Sequence, residues 1–288
     1  MTDLTLPEDP VVSTAWLAER LDDPRLVLID ASWFMPGTPR DPRAEHADQH
    51  IPGALYFNID EAADHANPLP HMLAESHDFA TYVRRLGVEA DSVVVVYDSH
   101  GLFSAPRVWW SFRVMGHEAV RVLDGGLRQW LAEGRPVEAG WPQKPHGEFK
   151  SRYQPALVYS LDQVLTALTD GHAQLVDARA AARFTGEAPE PRAGLRSGHM
   201  PGAHNLPSQD VVDADGRLKP AAELRALFDQ AGVDLNRPIV TTCGSGVSAA
   251  ILALGLARLG HADVPVYDGS WTEWGGRADT PVATGAYA

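Results

Sequence analysis

The sequence predicts an α/β protein of two tandem domains, each a parallel sheet flanked by helices. Short apolar, β-branched runs alternate with stretches of helical periodicity, an order typical of parallel strands covered by helices. The order of elements in the first half also returns in the second half, 144 to 149 residues later. A regular offset of this kind indicates a duplicated domain. The chain length of 288 residues suits two domains.

The helices and strands of the first half are predicted from hydrophobic periodicity, helix caps and turn residues. Predicted helices cover 11–21, with Ser13 or Thr14 as N-cap, 78–86, 105–115 and the residues up to Trp130. Predicted strands cover 26–30, 55–57, 93–98 and 120–124. A His-Ile-Pro-Gly-Ala turn precedes the second strand at His50. The segment 35–48 carries three prolines and is predicted to be a loop.

The second half repeats this order. Its matching pieces are the strand 175–177, the turn at His199, the helix 224–232, the strand 238–242 and the strand and turn 266–269. A stretch rich in proline and glycine joins the halves. We therefore predict an N-terminal domain at 1–138, a linker at 139–157 and a C-terminal domain at 158–288.

Candidate chemistry is concentrated in the loop that follows the strand 238–242. Cys243 comes next, Gly244 and Gly246 break the pattern, and helical periodicity starts at Val247. In open α/β sheets, ligands bind where a strand's carboxyl end meets a helix's amino end. Inward-facing N–H groups and the helix dipole favour a thiolate there, and the thiolate is the nucleophile. The alternative is that this single cysteine is a buried, inert residue.

Composition excludes several function classes. The formal net charge of −14 argues against nucleic-acid and anionic-membrane partners. An anionic substrate would need a local basic pocket, which screening beyond about 8 Å permits. One cysteine forms no internal disulfide and suits a reducing, cytoplasmic compartment. The N-terminus shows no signal-peptide pattern, and no apolar run has the length of a membrane span.

The duplicated layout, the two His-x-Pro-Gly-Ala turns and the Cys243 loop resemble the tandem-domain rhodanese sulfurtransferases over nearly the whole chain. The run from Cys243 to Val247 further resembles the 3-mercaptopyruvate branch, because the thiosulfate branch typically carries Arg then Lys after the cysteine. Ser248 stands where that branch usually has Thr. The resemblance implies transfer from 3-mercaptopyruvate through a Cys243 persulfide, with release of pyruvate. The implied acceptor is thioredoxin, a small thiol or cyanide, and no cofactor or metal is implied.

The resemblance also implies residue roles. Arg183 and Arg192 match substrate-binding arginines, and Ser245 matches a serine that assists proton transfer. Asp60 and His71 match first-domain residues that support this serine, although Asn58 replaces an aspartate often seen nearby. The rest of the implied substrate-binding loop is Gly244, Gly246, Val247 and Ser248.

The residue types support some of these roles independently. An arginine fork pairs bidentately with a carboxylate such as that of mercaptopyruvate. Each arginine alone also fits a surface salt bridge, and His71 alone is expected to be a surface histidine. His50 and His199 recur in both halves and are expected to be structural. The first half carries Asp98 at the loop entrance, where it would oppose an anion, and has no cysteine. We therefore expect this half to be catalytically silent.

Three rival functions differ in sequence or in turnover. A cysteine-dependent phosphatase needs Cys-x5-Arg, but the arginine position here is Ala249. A thiosulfate sulfurtransferase and a sulfur carrier without turnover remain open alternatives. Steady-state turnover with mercaptopyruvate and a thiol separates an enzyme from a carrier.

Overall fold

The computed structural model describes residues 4–285, and these form two compact units. The first unit consists of residues 4–64, 73–154 and 214–218. The second unit consists of residues 65–72, 155–213 and 219–285. Each unit therefore takes one short segment from the other half of the chain.

A five-stranded parallel sheet forms the centre of the first unit. Its strands are β1 (Val11–Val12), β2 (Leu26–Asp30), β3 (Leu55–Tyr56), β4 (Val93–Tyr97) and β5 (Val120–Leu123). Its helices are α1 (Thr14–Ala18), α2 (Pro42–Asp48), α3 (Ser76–Arg85), α4 (Ala105–Val114) and α5 (Gly126–Ala132). The spatial strand order is β1-β5-β4-β2-β3, and β2 and β4 are buried along their whole length.

The second unit repeats this architecture. Its strands are β6 (Val158–Tyr159), β7 (Gln174–Asp177), β8 (His204–Asn205), β9 (Ile239–Thr242) and β10 (Val266–Tyr267). Its α-helices are α6 (Leu161–Asp170), α7 (Ala181–Phe184), α8 (Ala221–Gln230), α9 (Ala249–Arg258) and α10 (Ser270–Trp274). Short 3-10 helices lie at Pro155–Leu157 and Ser208–Val211. All pairings are again parallel, in the order β6-β10-β9-β7-β8, so the predicted fold class and duplication are confirmed.

The first predicted helix starts too early. Val11 and Val12 form an edge strand that pairs with β5, and the helix begins only at Thr14. Two adjacent β-branched residues suit a strand, and sheet pairing outweighs the helical periodicity that continues from them. Ser13 is the N-cap, because its side chain accepts a hydrogen bond from the backbone N–H of Trp16.

The proline-rich segment 35–48 is not entirely a loop, because it contains α2. Asp41 caps this helix by accepting hydrogen bonds from the backbone N–H groups of Arg43 and Ala44. Pro42 occupies the first helical turn, where its missing N–H costs nothing. The last of the three prolines therefore starts a helix rather than breaking one.

Among residues 4–285, none of the helices combines the length and apolar character needed to span a bilayer.

Candidate active site

Cys243 directly follows β9, and its side chain is buried, with 1% of its surface exposed. The loop 244–248 then leads into α9. Gly246 has a φ of +76°, a left-handed conformation that favours glycine. The predicted placement of the cysteine, between a strand's carboxyl end and a helix's amino end, is therefore confirmed. Ser245 is also buried in this loop.

The start of α10 holds this loop through backbone hydrogen bonds. The carbonyl of Cys243 accepts from the N–H of Trp271 at 2.9 Å, and the carbonyl of Gly244 accepts from Thr272 at 2.9 Å. The hydroxyl of Ser270 is 3.2 Å from the N–H nitrogen of Cys243 and 3.1 Å from that of Gly246. Sequence analysis missed Ser270, although it follows the Asp-Gly turn that both halves share.

Arg183 brings positive charge to the loop. It lies in α7, and a Cβ atom added to Gly244 would be 3.1 Å from its Nη2 atom. Both Nε and Nη2 of Arg183 donate to the carboxylate of Glu190. The Glu190 side chain is 2% exposed and that of Arg183 is 24% exposed. Glu190 therefore fixes the guanidinium through Nε and Nη2, while the Arg183 side chain as a whole stays partly exposed.

Glu190 is itself held by a second arginine, which sequence analysis also missed. Arg179 Nη1 donates to Glu190 at 2.7 Å, and its Nη2 donates to Asp177 at 2.7 Å and to the carbonyl of Gly198 at 2.9 Å. Its guanidinium carbon lies 4.1 Å from the ring centre of Trp271. Burial favours a lower pKa for Arg179, but its two carboxylate partners outweigh burial and raise the pKa. Arg179 is thus a buried, permanent cation that anchors Glu190.

Arg192 contacts His71, a pairing that the sequence did not predict, since His71 was expected to support Ser245. Arg192 Nη2 lies 3.2 Å from His71 Nε2, and both residues belong to the second unit. The expectation of a surface histidine is wrong, because His71 is 8% exposed. An arginine nitrogen only donates, so His71 Nε2 acts as the acceptor. His71 also has a φ of +60°, which is uncommon outside glycine.

Asp60 belongs to the first unit, whereas the other predicted site residues belong to the second. Its carboxylate is exposed and accepts a hydrogen bond from the indole N–H of Trp33 at 2.8 Å. The structure thus groups Cys243 and Ser245 with the Arg183 guanidinium, and Arg192 with His71.

The corresponding loop of the first unit contains its own anion. Asp98 follows β4 as Cys243 follows β9. Its carboxylate accepts hydrogen bonds of 2.8 to 3.0 Å from the backbone N–H groups of His100, Gly101, Phe103, Ser104 and Ala105. The sequence predicted only that Asp98 would oppose an anion at the loop entrance. In the structure, its carboxylate itself occupies the anion position.

The two recurring histidines have matching structural contacts. His50 Nδ1 lies 2.7 Å from the carbonyl oxygen of His46, and His199 Nδ1 lies 2.9 Å from that of Phe184. Both side chains are buried. These contacts agree with the structural role expected from their recurrence in both halves.

Comparison with known proteins gives a consistent set of relatives. The profile of the rhodanese-like domain matches the chain twice, at residues 13–133 and 160–277. Human 3-mercaptopyruvate sulfurtransferase is 47% identical over 274 residues, which are 93% of this chain and 92% of that protein. Bovine thiosulfate sulfurtransferase is 46% identical over 276 residues, with coverage of 93% and 92%. The crystal structure of the 3-mercaptopyruvate sulfurtransferase SseA from Escherichia coli has a TM-score of 0.85 and 44% identity, and it covers 91% of this chain and 99% of its own.

Proposed function

The chain belongs to the rhodanese family, and from this premise we propose that it transfers sulfur from 3-mercaptopyruvate to an acceptor through a persulfide on Cys243. The observation that carries the donor is the uncharged loop beside the buried Cys243, formed by Gly244 and Ser245. The positive charge beside this loop comes from Arg183, on a separate element. Such a charge suits a carboxylate several bonds away from the reacting sulfur.

The first half-reaction moves one sulfur atom onto the enzyme. The Cys243 thiolate attacks the sulfur of mercaptopyruvate, and a new S–S bond forms as the C–S bond breaks. The electron pair of the broken bond stays on carbon as the pyruvate enolate, which takes a proton to give pyruvate. The second half-reaction is attack by an acceptor thiolate, or by cyanide, on the outer sulfur of the persulfide. This attack returns Cys243 as a thiolate.

Arg183 and Arg192 are the proposed carboxylate-binding residues. Support for Arg183 comes from its proximity to Gly244 and from the Glu190 contact that fixes its guanidinium group. Support for Arg192 comes from its half-buried position and its contact with His71. Guanidinium groups held in this way lose little conformational freedom when they bind a carboxylate.

Ser245 is the proposed proton relay to the enolate, because its hydroxyl lies in the same loop as the nucleophile. His71 and Asp60 keep their proposed supporting roles from the family resemblance. The backbone of Gly244, Gly246, Val247 and Ser248 is the proposed cradle for the transferred sulfur. The first unit supports this proposal by analogy, since its equivalent loop surrounds the Asp98 carboxylate with N–H groups.

The acceptor is proposed to be a thiol, either thioredoxin or a small thiol, or cyanide. A cytoplasmic location is proposed on the single cysteine, which suits a reducing compartment. The domain boundaries expected from the sequence, with a linker at 139–157, stay a proposal. Residues 139–154 carry no helix or strand, but they belong to the first compact unit.

Mass spectrometry after exposure to 3-mercaptopyruvate, without an acceptor, tests the donor and the nucleophile together. We expect a gain of one sulfur atom on the peptide that contains Cys243, accompanied by pyruvate. The matched variant Cys243→Ser should fold, since serine has a similar size, but should gain no sulfur because an alcohol forms no persulfide. Pyruvate release by folded Cys243→Ser would refute the proposal.

The bovine relative makes thiosulfate the second candidate donor. Thiosulfate carries its negative oxygens on the atom bonded to the transferred sulfur, where Gly244 and Ser245 offer no positive charge. We therefore expect a higher kcat/KM with mercaptopyruvate than with thiosulfate when both are measured with the same acceptor. Persulfide formation without steady-state turnover with any acceptor would instead favour a sulfur carrier.

A further inference from the structure

We propose that Ser270 is a positioning residue whose hydroxyl holds the Cys243 loop in the shape that sulfur transfer requires. The proposal rests on the proposed function and assigns a role to a residue outside the loop itself. Ser270 lies three residues beyond the end of β10, at the start of α10, and is fully buried.

The Ser270 hydroxyl links the backbone of Cys243 and of Gly246 to Tyr267, the last residue of β10. It donates a hydrogen bond to the carbonyl of Tyr267 at 2.8 Å. Its oxygen accepts from the N–H of Cys243 at 3.2 Å and from the N–H of Gly246 at 3.1 Å. The hydroxyl of Thr242 also donates to this oxygen, at 3.3 Å. The one proton of the Ser270 hydroxyl and its acceptor capacity are thereby fully used. The conformation of the loop from 243 to 246 therefore depends on this side chain.

The backbone of Ser270 is held in an unfavourable conformation. Its φ is +49°, and among residues 4–285 only His71 is another non-glycine residue with positive φ. A side chain in this region crowds its own backbone, so such residues persist where the surroundings require them. The requirement here is the position of the hydroxyl, since an unconstrained chain would favour glycine.

The first unit shows that the fold alone accepts glycine at this place. Gly126 occupies the equivalent position with a φ of +54°, and the next residue donates its N–H to the carbonyl of Asp98. The same bond in the second unit runs from Trp271 to Cys243. In the first unit the Asp98 carboxylate holds the loop. A cysteine offers no carboxylate, so in the second unit the serine supplies the missing acceptor.

The test compares Ser270→Gly with Ser270→Ala in the full-length chain. Ser270→Gly removes the hydroxyl together with the backbone strain, and the relief of strain offsets part of the cost of the lost hydrogen bonds. Its unfolding midpoint should therefore fall less than that of Ser270→Ala. Its kcat should fall about ten- to a hundred-fold, since small misplacement of a nucleophile has effects of this size. The KM for mercaptopyruvate should change little, because the arginines bind the donor. Ser270→Ala keeps the strain and should lose both kcat and stability.

Ser208→Gly is the matched control, a buried serine of the same unit at which glycine should lower the unfolding midpoint without lowering kcat. Single-turnover persulfide formation, followed by mass spectrometry, locates the loss at the Cys243 step. A Ser270→Gly protein with wild-type kcat, or one that does not fold, would overturn the inference. Failure of wild-type protein to form a persulfide would instead remove the proposed function, so the two failures are distinguishable.

Discussion

At the scale of single residues, Arg183 contributes to the site in two ways. Its guanidinium brings positive charge to Gly244, and it also covers the buried carboxylate of Glu190. Removing it takes away a substrate contact and leaves a negative group close to where the donor's carboxylate would bind. Arg192 has His71 as a partner. Replacing Arg183 and replacing Arg192 should therefore lower kcat/KM for mercaptopyruvate by different amounts.

We expect Arg183→Ala to lower kcat/KM for mercaptopyruvate about ten- to a hundred-fold, mainly through KM, and to do so more than Arg192→Ala. A lost charge-assisted hydrogen bond costs about 1.5–3 kcal/mol, and the exposed Glu190 charge adds repulsion. Adding Glu190→Gln to Arg183→Ala should recover part of this loss, whereas adding it to Arg192→Ala should recover none. Steady-state kinetics on the four variants measures this, and an absence of selective recovery would show that Glu190 does not face the donor.

At the scale of elements, the loop after β4 shows what this fold requires when no cysteine is present. Five backbone N–H groups converge on Asp98, which is fully buried. Converging N–H groups form a natural anion site, particularly at the start of a helix such as α4. The geometry of this loop therefore suits an anion even in the unit that lacks the cysteine.

We expect Asp98→Ala to lower the free energy of unfolding by at least about 3 kcal/mol, because buried N–H groups lose a charged acceptor. Sulfate should restore part of this loss, since the emptied loop would bind an anion. Thermal or urea unfolding with and without sulfate measures both effects, with Asp91→Ala as the control at an exposed aspartate of the same unit. A variant as stable as the control would mean that the N–H groups find other partners.

Local pattern predicted these elements well where burial and periodicity agree. The predictions of the valine-rich β4 and of the glycine-containing loop before α9 are correct, because the side chains there determine the local conformation directly. The errors at Val11 and at Pro42 have a common cause. Val11 becomes a strand through pairing with β5, and Pro42 begins a helix because Asp41 caps it. Neither pairing nor capping geometry is contained in hydrophobic periodicity.

At the scale of the whole molecule, duplication was predictable because it preserves order and spacing along the chain. The contacts that shape the site were not, because their partners are distant in sequence. Ser270 is 27 residues from Cys243, and His71 is 121 residues from Arg192. Periodicity carries no information on such pairs. Comparing the halves position by position would have found Ser270, since a serine replaces Gly126 where the backbone favours glycine.

Each unit contains one short segment from the other half of the chain, and the two segments make different contacts. Residues 65–72 lie in the first half of the chain but belong to the second unit, where they bring His71 to Arg192. Residues 214–218 lie in the second half but belong to the first unit, where Leu218 donates its N–H to Asp124. The first segment contacts a proposed substrate-binding residue, and the second segment joins the unit without the cysteine.

Replacing 65–72 in the full-length chain by glycine and serine residues of equal number should therefore raise KM for mercaptopyruvate about ten-fold or more, because Arg192 loses its imidazole partner and with it a defined position. His71→Ala alone should reproduce most of this effect. The same replacement of 214–218 is the matched control, and it should lower the unfolding midpoint while leaving KM unchanged. Kinetics and thermal unfolding of the three variants measure these outcomes. Equal KM values for the two replaced chains would mean that Arg192 is positioned without His71, and the role of this histidine would then be confined to stability.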